Sequence, residues 1–216
     1  MKKLVIFDLD GTLLDTIADL AMATNHALQQ LGYPTRPVDE IRTFVGNGIN
    51  KLLERSLPDS EKSEANTLHL RTHFLPYYDA HNADLSTPYP GIPSLLQTLQ
   101  QKGLMIAVAS NKYQTATVKL IHHYFHDISF VEILGQREGV PVKPDPSIVS
   151  DIIQKAGVSK EEVLYVGDSN VDMQTAHNAG VDAIGVAWGF RPRAELEALQ
   201  PWAVIDKAEE LLDYLN

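Results

Sequence analysis

The segment Leu4-Val5-Ile6-Phe7-Asp8-Leu9-Asp10-Gly11-Thr12 is the most informative in the chain. Four successive apolar strand formers suit a strand buried on both faces of a parallel sheet, and the run stops at a carboxylate. Similar short apolar runs recur at Leu104 to Ala109, Phe130 to Leu134, Val163 to Val166, Ala183 to Ala187 and Ala203 to Ile205. Between most of them lie amphipathic stretches of helical length: Ile92 to Gln101, Ala116 to Tyr124, Ser147 to Ala156 and Asp172 to Ala179. Strand alternating with helix predicts an α/β fold with a Rossmann-like open parallel sheet. Gly103, Gly157 and Gly180 follow helices at positions where a left-handed residue closes the turn.

Outward from the first strand the alternation breaks. Ile17, Leu20, Ala21, Leu28 and Leu31 recur at helical spacing, followed by stripes through Val38 to Leu53 and through Leu68, Leu75 and Tyr78. We expect residues 15–86 to form an all-helical domain inserted after the first strand, with 1–14 and 87–216 forming the sheet domain. Linkers near Leu14 to Thr16 and Ser86 to Gly91 are the expected hinges.

Composition narrows the function. The chain has 216 residues, a formal net charge of -10 and no cysteine. A thiol nucleophile and a Cys-ligated zinc site are excluded, and the acidic balance argues against nucleic acid or anionic lipid as partner. The opening apolar run is too short for a signal peptide's core, and no run approaches a membrane span. A cytoplasmic protein is expected.

In open α/β sheets ligands bind beyond the carboxyl ends of the strands. Asp8 and Asp10 stand at such an end, two residues apart; Ser110 and Asn111 follow a second strand; Asp168 follows a third, with Asp172 four residues on. Lys143, in Lys143-Pro144-Asp145-Pro146, is presented by a loop stiffened by prolines, and Asp145 is read as turn geometry. Two carboxylates about 4 Å apart repel by roughly 4 kcal/mol at an effective dielectric near 20, so these acids need a cation. Oxygen ligands without His or Cys favour Mg2+, which with Lys143 would welcome a phosphate.

These motifs resemble the haloacid dehalogenase superfamily of phosphatases. Asp8-Leu9-Asp10-Gly11-Thr12 is similar to the first motif, Ser110 to the second, Lys143 to the third, and Gly167-Asp168-Ser169 through Asp172 to the fourth. The resemblance spans the chain, because the helical insertion is similar to the family's helical cap. It implies Asp8 as nucleophile forming an aspartyl phosphate. It implies Asp10 as general acid and then general base, held protonated at first by crowded acids. Gly11, Ser110, Asn111 and Lys143 would bind the phosphoryl group. Mg2+ would be held by Asp8, Asp168 and the Asp10 backbone carbonyl, with Asp172 as a further ligand, a support behind the ligands or the orienter of Lys143.

Within the superfamily, Asp10 to Thr16, Phe44-Val45-Gly46-Asn47-Gly48 and Ala187-Trp188-Gly189-Phe190-Arg191 resemble the phosphoglycolate phosphatase-like branch. A small phosphorylated metabolite is therefore the implied substrate. A β-phosphoglucomutase-like phosphomutase, and a phosphatase for nucleotides or pyrophosphate, are the alternatives; a phosphate-holding receiver module is the rival from outside enzymology. Gly46, Asn47 and Gly48 are read as a cap loop facing substrate. Lys112, Arg42, Arg55 and Lys51 are read as solvated cations, with leaving-group contact as the alternative. The oligomeric state is left open.

Overall fold

The computed structural model describes residues 1–215. Strand β1 (Leu4–Phe7) leads through a short β2 (Leu14–Asp15) into four helices: α1 (Ile17–Gln30), α2 (Val38–Phe44), α3 (Ile49–Ser56) and α4 (Glu64–His81). The chain returns through β3 (Thr87–Pro88) and continues as α5 (Ile92–Gln101), β4 (Met105–Tyr113), α6 (Gln114–Tyr124), β5 (Phe130–Gln136) and α7 (Ser147–Ala156). It closes with β6 (Val163–Gly167), α8 (Asn170–Ala179), β7 (Asp182–Val186), α9 (Arg193–Glu197) and β8 (Ala203–Ile205).

Six strands form one parallel sheet in the order β5-β4-β1-β6-β7-β8. Alternation along β1 sorts its side chains to two cores. Val5 and Phe7 pack with Leu96 and Leu99 of α5 and Leu120 of α6, whereas Leu4 and Ile6 pack with Ile152 of α7 and Ala176 of α8. Being covered on both faces is what lets β1 be apolar at every position. Gly157 and Gly180 cap α7 and α8 in the left-handed conformation, as their spacing predicts.

The chain runs from β1 outward to β4 and β5, then crosses back to β6 on the other flank of β1. That reversal leaves a crevice at the carboxyl ends of β4, β1 and β6. The four helices between β2 and β3 have a separate apolar core, including Leu20, Ile41, Leu53, Leu70 and Phe74, which also takes in Phe190 from the loop after β7. No described helix is long and apolar enough to cross a membrane.

Two features depart from the sequence expectation. The linkers into and out of the helical block pair with each other as an antiparallel ribbon, Leu14 opposite Pro88 and Asp15 opposite Thr87. Strand β4 does not stop at Ala109; it runs through Ser110, Asn111 and Lys112 to Tyr113. The extension keeps Ser110 and Lys112 on one side of the strand and Asn111 on the other.

Candidate active site

Asp8 follows β1 directly, its amide donating to the Val166 carbonyl of β6 at 2.9 Å. The carboxylate is 8% exposed and lines the crevice. Lys143 Nζ lies 3.0 Å from Asp8 Oδ1 as an ion pair, and this buried oxygen has no other partner. Burial, with the charges of Asp172 and Asp10, pushes the Asp8 carboxyl up to about 7 against the opposing pull of Lys143.

Lys143 is buried and fully engaged. Its ammonium donates to Asp172 Oδ1 at 2.7 Å, to the Ala109 carbonyl at 2.9 Å and to the Tyr165 hydroxyl at 3.1 Å. Burial alone would depress this lysine, but Asp172 and Asp8 overcome it and hold it well above the ordinary range. Asp172 in turn is spoken for. Its Oδ2 accepts from the Ser169 hydroxyl at 2.5 Å and the Ser169 amide at 3.1 Å, in a capping box at the start of α8. Asp172 thus closes the N-terminus of α8 and orients Lys143 in one arrangement. Gly167 permits it, since a Cβ there would sit 2.3 Å from Asp172 Cβ.

Asp168 faces Asp8 from the end of β6. The Phe190 amide donates to its Oδ2 at 2.6 Å and the Thr12 hydroxyl to its Oδ1 at 3.3 Å. Burial first, then the charges of Asp172 and Asp8, raise its carboxyl well above the usual carboxylate range. Gly11, at φ 87°, is the other close approach, because a Cβ there would lie 2.3 Å from Asp168 Oδ2.

Ligand atoms from Asp8, Asp168 and Asp172 lie within 4.8 Å of one another. The set is all hard oxygen, and two members are raised by burial and then by their mutual charge, so the residues fit a divalent cation. Asp172 accepts two donors at each oxygen whereas Asp168 accepts one at each, so Asp8 and Asp168 are the carboxylates with capacity to spare.

Asp10 has different surroundings from those expected. Lys112 Nζ donates to its two oxygens at 2.9 and 3.0 Å, and the Thr16 hydroxyl donates to Oδ1 at 2.6 Å. The acidic crowding expected there falls on Asp8 and Asp168 instead. Lys112, read from the sequence as a solvated cation, is 7% exposed. Its ammonium also sits 4.8 Å from the centre of the Tyr78 ring.

Ser110 is buried on the crevice, its hydroxyl accepting from the Lys112 amide at 3.3 Å. The Asn111 side chain is a tie. It donates to the Lys143 carbonyl at 3.0 Å and accepts from the Lys143 amide at 2.8 Å, and it also donates to the Gly46 carbonyl at 2.9 Å. Gly46 and Gly48 line the cavity, whereas Asn47 turns to Arg55, accepting from its guanidinium at 2.9 Å. Arg191 reaches across to donate to the carbonyls of Arg42, Thr43 and Val45 at 2.9, 3.0 and 2.5 Å. The loop that carries Arg191 is itself anchored, Trp188 Nε1 donating to the Thr12 carbonyl at 3.1 Å.

Tyr165, Thr16 and Arg191 escaped the sequence reading as contributors to this site, Thr12 entered it only as a letter of the first motif, and Lys112 only as a solvated cation with leaving-group contact as the alternative. Only Lys112 left a signal: it stands two residues from Ser110, so an extended strand puts both on one side.

Residues 5–186 match the family described as haloacid dehalogenase-like hydrolase. A phosphoglycolate phosphatase of Pasteurella multocida is 33% identical over 99% of this chain and 98% of its own. One from Vibrio parahaemolyticus is 35% identical over 98% of this chain and 95% of its own. A crystal structure from Lactobacillus delbrueckii subsp. bulgaricus superposes with a TM-score of 0.92 at 34% identity, covering 100% of this chain and 99% of that one.

Proposed function

The chain belongs to the haloacid dehalogenase-like hydrolase family and is a phosphoric monoester hydrolase, and on that premise we propose that it is a Mg2+-dependent phosphatase of a small cytoplasmic metabolite, phosphoglycolate-like, working through an aspartyl phosphate. The observation that carries the proposal is the Asp8 carboxylate, which lines the crevice at the end of β1 with the Lys143 ammonium 3.0 Å away, while Asp10, Asp168 and Asp172 are each held by hydroxyl or amide donors. A nucleophile must keep a lone pair free, and Asp8 is the acid of the four whose side chain accepts from no hydroxyl or amide.

In this reading Asp8 attacks phosphorus and the phosphoryl group passes to its carboxylate. Lys143, kept charged and aimed by Asp172 and Tyr165, neutralises the phosphoryl oxygens, with Ser110 and the backbone amide of Asn111 completing the cradle, whereas the Gly11 amide expected there is bonded to the Leu14 carbonyl at 2.9 Å. Asp10, positioned by Lys112 and Thr16, gives a proton to the departing oxygen and then takes one from the water that attacks the aspartyl phosphate. Asp8, Asp168 and the Asp10 carbonyl would hold Mg2+. When bound, the cation supplies positive charge that offsets the approach of a phosphate dianion to a carboxylate. Residues 15–86 form the proposed cap domain, closing on 1–14 and 87–216 to exclude water from the first step.

The test is phosphate release from phosphoglycolate and other monoesters in Mg2+ or in chelator, for the native chain and Asp8→Asn. Turnover that needs the metal and falls at least a thousandfold in Asp8→Asn is expected. A variant that keeps a tenth of native turnover would remove Asp8 from the chemistry.

A further inference from the structure

Among the described residues, two cations line the cavity above Asp8, Lys112 and Arg191. Lys112 is buried on β4, and Asp10 is its one carboxylate partner. Its ammonium donates to Asp10 Oδ1 at 2.9 Å and to Oδ2 at 3.0 Å, and lies 4.8 Å from the centre of the Tyr78 ring. Arg191 spends its guanidinium on the neutral carbonyls of Arg42, Thr43 and Val45, with a Glu195 oxygen 3.9 Å from its Nε. The helical block adds the apolar side chains of Leu20, Ile49, Leu52 and Phe74, interrupted by Tyr78, whose buried hydroxyl has no hydrogen-bond partner.

The reaction takes from Lys112 the charge that it is paired with. Asp10 must carry a proton when it meets the departing alkoxy oxygen, and a neutral Asp10 no longer offsets the ammonium. A buried cation without a counter-charge is costly, so an anion on the leaving group is favoured here. Reach decides where that anion sits. Thr16 occupies Asp10 Oδ1 at 2.6 Å, which leaves Oδ2 for the alkoxy oxygen. Lys112 Nζ is 3.0 Å from Oδ2, one hydrogen bond beyond the proton donor. A carboxylate borne by the carbon that carries the alkoxy oxygen lies beside that oxygen and meets the ammonium directly, whereas a carboxylate one carbon further out must fold back to do so.

We propose that Lys112 is the specificity residue of this site, and that its ammonium selects phosphate monoesters of 2-hydroxy acids by pairing with their carboxylate. The proposal rests on the phosphatase reading and deepens it. The bond between phosphorus and the alkoxy oxygen breaks, the phosphoryl group moves to Asp8, and the proton of Asp10 goes to the alkoxy oxygen. The hydroxy acid departs with its carboxylate, and Lys112 faces an ionised Asp10 again. Asp10 then takes a proton from the water that cleaves the aspartyl phosphate, so the sum is monoester plus water giving hydroxy acid plus phosphate.

The experiment compares kcat/KM for phosphoglycolate with that for its carboxamide, which keeps the shape and loses the charge, using the whole chain in Mg2+. Lys112→Met costs both esters, since Asp10 loses a partner, so the ratio between them is the readout. We expect the native chain to prefer phosphoglycolate by about thirtyfold, and Lys112→Met to bring the ratio close to one. Binding of the two esters to Asp8→Asn, with and without Lys112→Met, reads the same preference by calorimetry without turnover. A native ratio near one, or a preference that survives Lys112→Met and is lost in Arg191→Met, overturns the proposal while leaving the phosphatase reading intact. No phosphate from either ester or from an aryl phosphate sinks both.

Discussion

Replacing the nucleophile should make the metal-free protein more stable, by an amount that depends on pH. In the folded chain the Asp8 carboxyl titrates near 7, against an ordinary 3.8 when unfolded. Below pH 3.8 both forms carry the proton and the group contributes nothing. Between 3.8 and about 7 the unfolded chain ionises first, so stability falls as pH rises, and above 7 the loss is complete. At 1.36 kcal/mol per pH unit that loss is about 4 kcal/mol. Asp8→Asn keeps the shape and removes the titration, but it leaves Lys143 with Asp172 as its remaining carboxylate, which returns part of the gain. We therefore expect Asp8→Asn to exceed the native chain by about 2 to 4 kcal/mol at pH 8 in chelator, shrinking to about 1 kcal/mol or less near pH 4.5. Urea denaturation at the two pH values reads this directly. Saturating Mg2+ should narrow or reverse the order, because the native site binds the cation and the unfolded chain does not. A variant no more stable than the native chain at pH 8, or a gap unchanged with pH, would refute the account of Asp8 as a carboxylate strained by burial.

Two further substitutions probe the surroundings. Gly11→Ala forces a Cβ into Asp168 at a φ of 87°, so Asp168 must move; Mg2+ affinity read by calorimetry should fall at least tenfold, and an unchanged affinity would take Asp168 out of the metal site. Arg191→Ala removes the bonds to the carbonyls at the end of α2, which α2 itself leaves unpaired. At partial exposure we allot them about 2 kcal/mol together, so kcat/KM should drop about thirtyfold, and an unaltered value would mean that other contacts hold the helical block over the site.

Much of this was legible because it was local. A run of strand formers ending in Asp8, helices closed by Gly157 and Gly180, and a Lys followed by two prolines each declare their geometry within a few residues. The Asp10 partner did not. Lys112 looks like a helix-start lysine unless β4 is known to continue past Ala109, and that continuation depends on pairing with β5, which bulges there. Tyr165 is one apolar letter among several in β6, and nothing nearby indicates that its hydroxyl would meet Lys143. Arg191 and Asn111 act on backbone carbonyls of the 42–46 segment, and a carbonyl carries no sequence signature. The β2–β3 ribbon is too short to leave any periodicity.

That ribbon has a consequence for how the sheet assembles. Leu4 pairs with Met105, about a hundred positions along the chain, and such a contact would ordinarily demand closure of a very long loop. With Leu14 held against Pro88, the path between β1 and β4 shortens to a hairpin and α5, and the intervening helices hang from it as a side branch. Once the helical block has formed and brought its ends together, the central strands become near neighbours in effective separation, and the entropy of their search falls accordingly.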